Sequence, residues 1–72
     1  MVYYCDNKRH LICTPYTVEN LHKMANDLNI KYCWFHAHDK FPHYDIPKKR
    51  VNGIMEKCNL VSTKELLNLI KK

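Results

Sequence analysis

Short apolar runs alternate along this chain with stretches whose apolar positions recur every three or four residues, and polar clusters punctuate both. Residues 2 to 5, VYYC, are aromatic and β-branched and predict a first strand. DNKR at 6 to 9 turns the chain, and HLIC at 10 to 13 predicts a second strand before Thr14 and Pro15 break it. From Thr17 the period changes. Val18, Leu21, Met24, Ala25 and Leu28 fall on one face, Thr17 suits the N-cap and Glu19 lies in the first turn, so the pattern predicts an amphipathic helix that Asn29 ends. IKYCWF returns to aromatic and β-branched residues and predicts a third strand around 30 to 36.

HAHDKFPHYD has no helical period and contains Pro42, which predicts a loop with a brief extended piece at 43 to 45. Pro47 suits the first position of a second helix, whose apolar face is Val51, Ile54, Met55 and Cys58. Gly53 within it costs about 1 kcal/mol relative to alanine. That helix ends near Asn59, ahead of the short apolar piece Leu60 and Val61. STKE at 62 to 65 is a capping box that starts a third helix, with Leu66, Leu67, Leu69 and Ile70 on its apolar side and Lys71 and Lys72 suited to its C-terminal dipole. Strand, helix, strand is the unit of a parallel crossover. The expectation is a single α/β domain over 1–72: a small, mainly parallel sheet of three to four strands carrying three helices.

Composition narrows this picture. A chain of 72 residues hides only about 60 % of the surface its unfolded form exposes, so its core is small and homo-oligomerisation would add burial. Cys5, Cys13, Cys33 and Cys58 form no C-x-x-C pair and match no disulfide framework, which suggests reduced, buried thiols in a cytoplasmic protein. No apolar stretch approaches the roughly 18 residues of a membrane span. The net charge of +5 favours an anionic partner.

Candidate chemistry concentrates in WFHAHDKFPHYDIPKKR, residues 34 to 50. Lys48, Lys49 and Arg50 crowd a helix start, where each cation costs roughly 0.3 to 1 kcal/mol unless an anion is bound there. A phosphorylated small molecule or nucleotide would reverse that penalty. Tyr44 or Trp34 would stack on a base, His43 and Asp45 would bond a ribose or phosphate edge, and Lys8, Arg9 and His10 would join from the first turn. Trp34 and Phe35 otherwise read as core anchors. His36, His38, His43 and Asp45 alternate as a potential metal-ligand set, though the spacing is not a strong zinc signature. If the protein is an enzyme, His43 is its general acid or base, and the alternative function is a His-dependent, metal-assisted phosphoesterase or nuclease. A structural or protein-interaction module is the third reading. Binding without turnover, with no cofactor, is favoured. The scattered lysines suit a small nucleotide better than nucleic acid.

HL at 10 and 11, TVENLHKMANDLNI at 17 to 30, WF at 34 and 35, HYDI at 43 to 46 and the following KKR together resemble a family of bacterial and phage proteins, the domain of unknown function DUF4031. The resemblance covers most of the chain. It implies a small intracellular or phage-encoded protein and supplies no activity. It places His10, His22 and His43 on the family pattern, whereas His36 and His38 depart from it. The phage association suggests one role for a nucleotide binder, sequestration of a host defence signal.

Overall fold

The computed structural model describes residues 1–71; the dipole role expected of Lys72 lies outside them. Strand β1 (Val2–Cys5) and strand β2 (His10–Thr14) form an antiparallel hairpin, with Tyr3 opposite Cys13 and Cys5 opposite Leu11. Helix α1 (Val18–Asp27) follows, then a single 3-10 turn at Tyr32–Trp34. Strands β3 (Phe35–His36) and β4 (His43–Asp45) pair antiparallel. A second 3-10 turn at Lys48–Arg50 runs into helix α2 (Val51–Met55), and strand β5 (Asn59–Leu60) and helix α3 (Thr63–Ile70) complete the chain.

The sheet has five strands in the order β3-β4-β2-β1-β5 and is mixed, which corrects the expectation of a mainly parallel sheet with three to four strands. Among the described residues only β1 and β5 pair in parallel. A connection as short as residues 6–9 can join neighbouring strands only antiparallel. The expected crossover exists in another form. Since β4 runs antiparallel to both β2 and β3, those two are parallel to each other, but β4 lies between them. The expected third strand is also shortened to two residues, because Tyr32–Trp34 coils into the 3-10 turn.

Local signals set the helices. Thr17 Oγ1 accepts from Asn20 N–H at 3.0 Å, and Ser62 Oγ accepts from Glu65 N–H at 3.1 Å, so both predicted N-caps are present. In the second, the Ser62 hydroxyl donates to the Glu65 carboxylate at 3.4 Å. Helix α1 closes with Asn29 at φ 57°, where Asn29 N–H donates to Asn26 C=O and Ile30 N–H to Ala25 C=O. That double closure needs a left-handed residue, a conformation asparagine tolerates better than residues with larger penalties. Asn29→Ala is expected to lower stability by about 1 kcal/mol, read as a lower denaturation midpoint, whereas Asn29→Gly should hold or raise it.

Two layers cover the sheet. Leu11 stands opposite Tyr44, and Phe35 opposite Tyr44, so these three share one face. Helix α1 packs there through buried Leu21, Met24 and Ala25. His10 is paired with Asp45, and His36 with His43, on the opposite face. Helix α3 covers that side, with Leu66 buried and Thr63 tied to the first turn. Cys5 and Cys13 are buried and Cys58 is half-buried, but Cys33 is exposed, which corrects its assignment as a core thiol. Burial pushes the Cys58 thiol up to about 12 and raises Cys5 and Cys13 as well. Among the described residues no helix is long and apolar enough to cross a membrane.

Candidate functional site

A buried carboxylate organises one end of the sheet. Asp6 begins the hairpin turn and is 1 % exposed. Its Oδ1 accepts from the backbone N–H groups of Lys8 at 2.9 Å and His10 at 3.0 Å, the local pattern that favours Asp at a turn. Its Oδ2 accepts from His10 Nδ1 at 2.8 Å and from the Thr63 hydroxyl at 2.7 Å, so one side chain ties β2 and α3 to the turn. Burial alone would raise this carboxyl, but the hydrogen bonds from Thr63 and His10 outweigh it and hold Asp6 below the usual carboxylate range.

The ionised Asp6 fixes the His10 ring. Because Nδ1 donates to the carboxylate, the neutral ring presents its electron pair at Nε2. The rings of His10 and His43 meet edge-on with centroids 5.0 Å apart. His43 Nδ1 faces the Phe41 carbonyl at 2.8 Å, and a carbonyl only accepts, so Nδ1 carries the proton. His43 Nε2 lies 3.4 Å from Asp45 Oδ1. His10, His43 and Asp45 each offer one nitrogen or oxygen within 4.8 Å of the others. Strand pairing explains the assembly: His43 and Asp45 share a face of β4 by alternation, and His10 lies across from Asp45. A cleft of about 140 Å³ adjoins His10 and His43, roofed by Leu66, Leu67 and Ile70 of α3.

The other expected site residues divide. His36 is exposed, with its ring 5.0 Å from that of His43. His38 lines the cleft, but its Nδ1 accepts from Lys40 and Phe41 N–H at 3.1 Å each and so fixes the loop. Tyr44 is 1 % exposed and shares a 2.7 Å hydrogen bond with His22 Nδ1, which leaves it no face for a base. His22 itself sits among Tyr32, Phe35 and Tyr44 as a packed aromatic. Arg50 donates to the carbonyls of Asn29 at 2.6 Å and Leu28 at 2.7 Å, the C-terminal end of α1. The cation that looked misplaced at one helix start therefore serves another helix's negative end.

Trp34, Arg9, Lys48 and Lys49 do come together. With Pro47 they line a second cleft of about 340 Å³. Trp34 is 38 % exposed, so of the two expected anchors only Phe35 packs against the core. Asp6 and Thr63 were missed as contributors to any site. Asp6 had a signal, an acidic residue opening a four-residue turn ahead of a histidine; Thr63 had none, since its partner is 57 positions away.

No curated protein and no solved structure matches the chain. A family model described as "Protein of unknown function (DUF4031)" matches residues 6–72, nearly the whole sequence and all the side chains of both clefts. The chain belongs to the DUF4031 family.

Proposed function

We propose that this protein binds a phosphorylated, nucleotide-type ligand in the cleft between Arg9, Trp34, Lys48 and Lys49. The observation that carries this reading is the set of residues brought together: Arg9, Lys48 and Lys49 line one space with their aliphatic stems beside a part-exposed indole, with no carboxylate among them, which leaves three cations at hand for an anion. An aromatic face accepts any base, while guanidinium and ammonium groups take phosphate oxygens. The volume falls at the lower end of small-ligand sites. Charge supports the same class of partner, with twelve Lys and Arg against seven Asp and Glu. Holding such a ligand without cleaving it, as a protein that sequesters a nucleotide signal would, is the primary reading.

One observation favours a second reading, a phosphoesterase. Arg9 directly precedes His10, and Lys48 follows Asp45 by three residues, so the binding cleft and the histidine centre are neighbours along both segments. His43 would then move a proton to or from the ester.

Trp34 is the only tryptophan, so its fluorescence reports on the cleft directly. Titration with a panel of mono-, di- and cyclic nucleotides is expected to quench it. Lys48→Ala and Lys49→Ala should each weaken binding by roughly tenfold, the worth of one charge-assisted hydrogen bond. Chromatography of the incubated ligand separates the readings: intact nucleotide supports binding alone, and cleaved nucleotide supports the enzyme. An unquenched Trp34 across the whole panel would sink both.

A further inference from the structure

We infer that His10, His43 and Asp45 form a binding site for one divalent transition-metal ion, with Asp6 as the residue that aims His10. The inference does not depend on the nucleotide cleft, with which these three side chains share no lining residue.

The argument is one of unmatched electron pairs. Asp6 takes the proton-bearing nitrogen of His10, and the Phe41 carbonyl takes that of His43. When neutral, each ring therefore turns an electron pair at Nε2 away from its anchor, and His43 Nε2 then meets an Asp45 oxygen that also only accepts. Two acceptors at 3.4 Å repel unless a proton or a cation lies between them. A metal ion satisfies all three groups at once, whereas one proton can serve only one pair.

The spacing suits this. Nitrogen and oxygen ligands about 2.0–2.1 Å from an ion at tetrahedral angles are separated by about 3.4 Å. His43 Nε2 and Asp45 Oδ1 already have that separation. All three spacings are at most 4.8 Å, so closing on one ion takes only small side-chain movements. His10 is a third exposed and has room to move.

The surroundings match those of metal centres. A ligating histidine usually donates its other ring N–H to a carboxylate or backbone carbonyl, which fixes the tautomer and strengthens the ligand. His10 has the carboxylate and His43 the carbonyl. Two imidazoles and one carboxylate select the zinc, iron, cobalt or nickel class over calcium or magnesium, which prefer all-oxygen sites. Three protein ligands leave a coordination position for water or a substrate group. The cleft bounded by Phe41, Leu66, Leu67 and Ile70 lies beside both histidines and would restrict what reaches it.

The test uses the full chain without an affinity tag, carrying Cys33→Ser so that the exposed thiol cannot supply a ligand. Titration with Co(II), followed by its visible absorption, and with Zn(II), followed by calorimetry, should each reach one ion per chain. His43→Gln and Asp45→Asn are each expected to weaken affinity by about tenfold or more. Asp45 is nearly half exposed, so that variant keeps the fold and isolates the ligand role. His36→Gln and His38→Gln should leave affinity unchanged. Asp6→Asn, provided circular dichroism shows it folded, should weaken binding while preserving the stoichiometry. Absence of saturable binding by either ion would overturn the inference, as would binding that survives both His43→Gln and Asp45→Asn.

Discussion

Replacing Asp6 by alanine is expected to cost about 3–5 kcal/mol, since it strands three N–H groups and a hydroxyl that now share one buried carboxylate. A chain of 72 residues has roughly 4–11 kcal/mol of stability in all. The variant should therefore unfold at a small fraction of the urea needed by the parent. Asp6→Asn keeps an acceptor for the turn but presents an amide to the remaining donors, and should lose about half as much. The pH dependence follows from the lowered pKa of Asp6. The folded-state value of Asp6 lies below the unfolded value of 3.8, so its stabilisation is complete above that pH and disappears as pH falls through the folded value. Urea titrations from neutral to acid pH should show this loss in the parent and lack the Asp6 contribution in Asp6→Asn. Equal midpoints for parent and Asp6→Ala would refute the carboxylate's organising role.

Arg50→Ala is expected to cost about 2–3 kcal/mol, two hydrogen bonds from a guanidinium to backbone carbonyls. Arg50→Lys should recover less than half, because an ammonium cannot reproduce the planar fork that reaches both carbonyls. Chemical denaturation measures both variants. The same residue provides a control for ligand binding: nucleotide affinity of folded Arg50→Ala should stay within a fewfold of the parent, unlike that of Lys48→Ala or Lys49→Ala. A large loss of affinity with no loss of stability would reverse the assignment.

The sequence disclosed those features that local chemistry determines. Thr17 and Ser62 announced two helix starts, and Asn29 announced a helix end, because capping depends on neighbours three or four residues away. Strand pairing was less visible. HYD at 43–45 reads as three extended residues, and nothing local says that it will insert between the two strands joined by α1. That insertion brings Asp45 opposite His10 across 35 positions of sequence. Counting histidines along one segment therefore found His43 and Asp45 together but paired them with His36 and His38, whereas the sheet supplies His10. Arg50 was misread for a related reason: its charge was weighed against its own helix, and its partners belong to another. The lysines beside it line an open cleft with Trp34 and Arg9.

The outermost strands, β3 and β5, are two residues each. A sheet ending in such short strands presents few open backbone groups to a neighbour, which is one way proteins avoid edge-to-edge aggregation. Joining two copies through a continuous ten-stranded sheet would thus gain little. If the small core is completed by a second copy, the contact must be made by side chains, and Leu60 at 60 % exposed, Val2 at 44 % and Met1 at 55 % are the apolar groups available around the β1–β5 end. The His10 and His43 centre, on strands β2 and β4 toward the other end of the strand order, would stay open in such a pair.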